Sequence, residues 1–268
     1  MNAKAAADAV RRAAEAHATA GALWPDALQH TVRQLIDRLA ASRSLPATGL
    51  DYPYNSTATS LIASIDLTSW GVASIGDLHQ LLLEAEPTRH ADGTVTASRT
   101  SVGRRGELGS WYTPPELAAA TVSLSLGLQL AQMPPGPESI WHINTIDPAC
   151  GAGVFLLAAA RYLSQELVCR LSVRPEEQVR MFQAALPQVI EDCVFGADID
   201  PVAVDLSRAA LWLEIGGTRP FSWLDRNITV GSVLEGPHAG PPAWRERQEA
   251  ARANQPSNTP RPNQPGSN

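Results

Sequence analysis

The fold turns on the stretch Asn144–Arg161, NTIDPACGAGVFLLAAAR. A short apolar run ends in Asp147, crosses a Pro/Ala/Cys/Gly/Ala/Gly turn and enters a strongly apolar helix. The glycines let backbone come close to a ligand, and the helix N-terminus beyond them offers unpaired N–H groups. Upstream, HINTID (142–147) reads as a buried strand with His142 at its edge. Downstream, CVFGAD (193–198) reads as a second strand and NITVG (227–231) as a third. Between them DPVAVDLSRAALWLEIGG (200–217) reads as a helix capped by Asp200, with Pro201 at its first position and Gly216-Gly217 at its exit. Alternating strands and helices predict an α/β fold with a parallel sheet covered on both faces. Such sheets bind ligands at the carboxyl ends of their strands.

The strand ends carry the chemistry. The first presents Asp147 and then the turn through Cys150, Gly151 and Gly153; the second presents Asp198, with Asp200 close behind; the third presents Gly231 and Ser232. A carboxylate such as Asp198 suits a ribose, because it accepts from two vicinal hydroxyls at once. Leu156 stands where a dinucleotide fingerprint needs its third glycine, so there is no GxGxxG, and no Gly-Lys-Ser/Thr phosphate cradle occurs anywhere. An acidic-led turn favours a ligand with a cationic or amino group over a pyrophosphate. S-adenosyl-L-methionine has that character.

DPACGAGVFLLAA (147–159) resembles the first cofactor motif of S-adenosylmethionine-dependent adenine-specific DNA methyltransferases, above all the large type IIG restriction–modification and phage-defence methylases. GSWYTPPELAAATV (109–122) resembles the Gly-x-Tyr/Phe-Tyr-Thr-Pro segment that precedes it. FGADIDPVAVDLSRAALWLE (195–214) and FSWLDRNITVGSVLEG (221–236) resemble the next two segments in order. The likeness spans residues 103–236, roughly half of the chain. It implies a Rossmann-like methyltransferase core, its sheet incomplete at the edge, behind a helical N-terminal extension. It also implies that Thr113 contacts the methionine carboxylate, that Asp147, Ala149, Cys150, Gly151 and Gly153 line the methionine end, and that Asp198 takes the ribose hydroxyls. Ile199 would pack on the adenine ring, and Asp200 would cap its helix. Ser232 stands where most relatives carry Asp or Asn, so weaker cofactor binding is expected. Independently of the likeness, Thr113 with Pro114 and Glu116 has the pattern of a helix N-cap closed by a capping box.

One segment of the family is absent. These enzymes flip adenine out of the duplex and hold its amino group with Asn/Asp-Pro-Pro-Tyr/Phe. TPPEL (113–117), MPPGP (133–137), GPPAW (240–244) and DYPYN (51–55) all depart from that pattern, and no aromatic residue follows Trp244. The expectation is a cofactor-binding part, truncated before the catalytic tetrapeptide, with no catalytic residue of its own. It would act on double-stranded DNA together with a second polypeptide or a missing C-terminal region. The alternatives are a catalytically silent S-adenosylmethionine-binding subunit of a split methylase and a non-functional gene remnant.

Working outward, residues 1–85 read as helices: DALQHTVRQLIDRL sets Leu28, Val32, Leu35, Ile36 and Leu39 on one face, and SIGDLHQLLLEAE opens with Ser74 and Asp77 in capping-box positions. Residues 86–110, polar and rich in Gly, Thr, Ser and Arg, read as a linker or mobile loop, residues 111–235 as the α/β core and residues 236–268 as a disordered tail. Arg99, Arg104 and Arg105 suit either DNA phosphates or a solvated loop, and Trp111 and Tyr112 suit packing beside Thr113. The 268 residues are 44% hydrophobic and 18% charged with a net charge of −6, an ordinary globular composition without a whole-chain basic field. No apolar run spans a bilayer. Cys150, Cys169 and Cys193 form no CxxC pair, which favours a reducing cytoplasm and argues against a disulfide framework or a zinc site. No membrane and no metal are expected.

Overall fold

The computed structural model describes residues 3–100 and 113–232, together with 241–242, 245–246 and 249. Trp111, Tyr112, Arg104, Arg105 and nearly all of the tail lie outside the described residues. Among the described residues the protein is mixed α/β, mostly helical, with a three-stranded parallel sheet and a two-stranded hairpin. No helix among the described residues is long and apolar enough to cross a membrane.

The N-terminal part is built from α1 (Ala3–Thr19), α2 (Trp24–Ser42), α3 (Ser56–Ala63) and α4 (Val72–Leu82). Alanines at 6, 9, 13 and 14 bury fully or nearly so on α1, and such small residues let α2 and α3 approach its axis closely. The α2 stripe of Leu28, Val32, Leu35, Ile36 and Leu39 is buried against them. Helix α4 starts earlier than its capping pattern places it. Gly71 is the N-cap, and Ser74, at the third helical position, accepts from the Gly71 N–H through Oγ at 3.1 Å.

Residues 86–99, part of the stretch 86–110 read as a linker or mobile loop, are strand and turn. They form an antiparallel hairpin of β1 (Ala85–Arg89) and β2 (Val95–Arg99), with Ala85 opposite Arg99 and Arg89 opposite Val95. Asp92-Gly93 makes its turn: Gly93 takes φ +86°, and Asp92 Oδ1 accepts from the Thr94 N–H at 2.9 Å. The hairpin is fastened to α1, because the Ala97 N–H donates to Glu15 Oε1 at 2.7 Å and the Val95 N–H to Thr19 Oγ1 at 3.0 Å. Val95 and Ala97 bury while Thr96 and Ser98 face water.

The second part runs α5 (Pro115–Ala131), β3 (Thr145–Asp147), α6 (Val154–Arg170), α7 (Pro175–Cys193), β4 (Val194–Asp198), α8 (Pro201–Glu214) and β5 (Ile228–Val230). The parallel order is β3-β4-β5, with Asp147 opposite Gly196 and Asp198 opposite Val230. The first strand is shorter than HINTID. Residues Pro137–His142 form a 3₁₀ segment, so His142 ends a helical turn and is not a strand-edge residue. Asp200 caps α8, its Oδ1 accepting from the Val202 N–H at 3.1 Å.

One apolar core runs through both parts, with α2 and α4 packed on α8. At that seam the buried Asp205 carboxylate accepts from Gln29 Nε2 at 2.9 Å and Arg33 Nε at 2.8 Å. Arg33→Ala removes the ion-pair partner of that buried charge, leaving the Gln29 bond, and is expected to cost about 3 kcal/mol in urea unfolding, whereas Arg33→Met with Asp205→Leu recovers most of the loss. A single variant within experimental error of the parent would show that the pair does not fasten the seam.

Candidate functional site

The turn after β3 is held almost entirely by backbone groups. Asp147 Oδ1 accepts from the Ala149 N–H at 3.2 Å, which bends the chain back over its own strand end. The Cys150 N–H donates to the Ala197 carbonyl of β4 at 3.0 Å, so the turn crosses onto the neighbouring strand. Gly151 adopts φ +53° and donates its N–H to Asp198 Oδ2 at 2.8 Å, while Asp198 Oδ1 accepts from the Asp200 N–H at 2.9 Å. Gly153 adopts φ +84° as the N-cap of α6. Asp147, Ala149, Cys150, Gly151, Gly153 and Asp198 therefore converge at one sheet end.

Ile199 and Val230, each 55% exposed, stand at that same carboxyl edge. The Gly231 N–H donates to the Asp198 carbonyl at 2.9 Å, which carries the β4–β5 pairing toward Ser232. Thr113 arrives from another direction. Helices α5 and α6 run side by side in the same direction: a Cβ on Gly127 would sit 3.0 Å from Tyr162 Oη, and Arg170 Nη2 donates to the Leu130 carbonyl at 3.3 Å. Their N-termini, preceded by Thr113 and Gly153, are thus at the same end. Thr113 is not the helix cap, however. Pro114 is the N-cap with φ −55° and ψ 138°, because a residue before proline is driven out of the α region and Pro115 follows it. Thr113 lies one residue further out, half-buried.

Three residues that carry no local signature complete the site. A Cβ on Gly196 would stand 2.8 Å from Leu156 Cδ1 and 3.3 Å from Cys150 Sγ, so glycine at this position lets Leu156 and the turn pack closely on β4. A Cβ on Gly153 would stand 2.6 Å from Ser207 Oγ of α8, so this glycine permits a close helix crossing as well as a positive φ. His79 of α4, buried, brings its ring Cε1 to 3.8 Å from where a Gly151 Cβ would be.

The electrostatics are those of two neighbouring acids beneath a ring of N–H donors. Burial, reinforced by the Asp198 charge, holds the Asp147 carboxyl above the ordinary carboxylate range, against the Ala149 N–H that favours its ionised form. Burial and then the fields of Asp198 and Asp147 push the Cys150 thiol upward, which makes it a packed residue and a poor nucleophile. Each carboxylate oxygen keeps a second lone pair, so the cluster accepts from hydroxyl or amino donors. Among the described residues no group of three or more His, Cys, Asp or Glu is placed to hold a metal ion.

Against this geometry stand the relatives. Over 78 residues the chain is 30% identical to a candidate type II restriction enzyme and methyltransferase of Methanocaldococcus jannaschii, a stretch that is 29% of this chain. It is 6% of that protein's length, so this chain spans a small part of its relative. No protein-family model matches the chain. No solved structure matches it significantly.

Gly153→Ala is expected to lower stability by about 3 kcal/mol, from left-handed strain plus the collision with Ser207, read as a fall in Tm. Asp147 gives a pH signature. A carboxyl raised in the fold binds its proton more tightly there than in the unfolded chain, so stability falls as pH rises through the carboxylate range toward the folded value. Asp147→Asn removes that cost. Its Tm should exceed the parent's at neutral pH, and the gap should close on acidification; a gap constant with pH would refute the assignment.

Proposed function

We propose that the chain carries the S-adenosyl-L-methionine-binding part of an adenine-specific DNA methyltransferase of a restriction–modification or phage-defence system, with a Rossmann-like core. The observation that carries this reading is the 2.8 Å bond from the Gly151 N–H to Asp198 Oδ2, which joins the glycine turn of β3 to the acid at the end of β4. The name of the relative supports the restriction–modification context, and the ordered motifs around Thr113, Asp147, Asp198 and Gly231 support the cofactor.

The donor set fits such a ligand. Asp198 keeps acceptor capacity toward vicinal hydroxyls, Ile199 offers an exposed aliphatic surface to a purine, and Ser232 offers a hydroxyl in place of a carboxylate. Asp147, with Ala149, Cys150, Gly151 and Gly153, would frame the end where an amino acid moiety lies, and Thr113, just before α5, is read as the contact to its carboxylate. When bound, S-adenosyl-L-methionine supplies a methyl group on a sulfonium. The protein's contribution is to orient that group, since direct displacement depends chiefly on alignment.

The acceptor is read as adenine in double-stranded DNA. Among these 268 residues no Asn/Asp-Pro-Pro-Tyr/Phe segment is available to hold a flipped base, so a second polypeptide or further chain would supply it. The split-methylase reading rests on that same absence.

Titration calorimetry with S-adenosyl-L-methionine is expected to show binding by the chain, and Asp198→Ala to abolish the heat. Radiolabelled methyl transfer to duplex DNA by the pure chain is expected to be undetectable. Incorporation would overturn the missing-segment reading, and calorimetric silence in the parent would overturn the cofactor assignment.

A further inference from the structure

Helices α1 and α2 meet over two histidines. The His17 and His30 rings touch edge to face, with centroids 5.6 Å apart and planes at 63°. His17 is 3% exposed and His30 is half-buried. His17 Nε2 and His30 Nδ1 are themselves buried and have no hydrogen-bond partner among the described residues. A neutral imidazole carries a hydrogen on one ring nitrogen only, so its bare nitrogen is tolerated in apolar surroundings at modest cost. An imidazolium has an N–H on both nitrogens, and in each of these rings one of them would meet no acceptor.

We propose that the His17–His30 contact is an acid-sensitive fastening between α1 and α2, and that protonation of either ring loosens the helical part. Burial holds both imidazoles below the ordinary histidine range, and at His17 the charge of His30 adds to it. Around His30, Asp26 and Asp51 oppose burial while Arg33 adds to it. Arg33 is itself committed to Asp205 of α8 at 2.8 Å. On α1, Glu15 is taken up by Arg11 and the Ala97 N–H. The hairpin brings Arg89, which donates to the Ala18 carbonyl at 3.3 Å, and Arg99, paired with Glu84 at 2.9 Å. Helix α3 carries no charged residue, and α4 carries Asp77, exposed, and His79, buried. The C-terminal end of α1 favours a cation at His17, and burial outweighs it. A histidine depressed in the fold binds its proton more weakly there than in the unfolded chain. Stability is therefore whole above the ordinary histidine range and falls as pH drops through it toward the folded value. Asp147 has the opposite sign, so acid strains the helical part while it relieves the sheet end.

Amide hydrogen exchange of the full chain, corrected for its intrinsic pH dependence, reads the two parts separately at about pH 7.5 and about pH 5.5. Acidification of the parent is expected to increase opening of α1 and α2 about tenfold more than in His17→Phe with His30→Phe, which keeps two rings and removes both titrations. His30→Gln, at the half-buried position where the fold tolerates exchange best, is expected to lose part of that excess. An acid response of α1 and α2 equal in parent and variants would overturn the inference. So would a response in the parent no larger in α1 and α2 than in α6 and α7.

Discussion

The Asp198 carboxylate binds two turns at once: one oxygen takes the Gly151 N–H and the other takes the Asp200 N–H. This holds the loop after one strand against the loop after its neighbour, and it fixes where α6 and α8 begin. The arrangement is energetically exposed, because the Asp147 carboxyl is raised by burial and by the nearby negative charge. Backbone donors offset part of that repulsion, since hydrogen bonds to an ionised group are stronger than neutral ones. An acid kept in such surroundings at a cost to stability is a candidate for a functional role. The sheet end therefore joins three backbone turns around two neighbouring carboxyls.

Small residues make that junction possible. Gly196 lets Cys150 and Leu156 rest on β4, and Gly153 lets α6 pass close to Ser207. Both positions answer to van der Waals contact between elements distant in sequence. The same crowding explains Cys150, whose thiol is enclosed and stays protonated.

The turn itself was legible because its signals are local: an acid at the strand end, glycines at positive φ, then an apolar helix. Asp200 with Pro201 marked a helix start for the same reason. Gly196, Ser207 and His79 were not legible, since each takes its importance from an atom contributed by another element. The hairpin at 85–99 had a local signal in Asp92-Gly93, flanked by Thr, Val and Ala in alternation. Its buried face is small, chiefly Ala85, Val95 and Ala97, so polar composition outweighed period. At Thr113 a side-chain cap and capping box were expected, but Pro114 is the N-cap and no side chain caps the helix, because the residue before Pro115 is driven out of the α region.

Helix α8 is gripped from both sides, by the sheet below and by α2 and α4 above. Its interior face and its outer face are consequently buried by different stretches of the chain, and neither stretch can leave without exposing the other's apolar surface. The two parts are therefore coupled in stability through α8. A cut between residues 100 and 113, inviting on sequence alone, would expose the apolar faces that α2, α4 and α8 bury against one another.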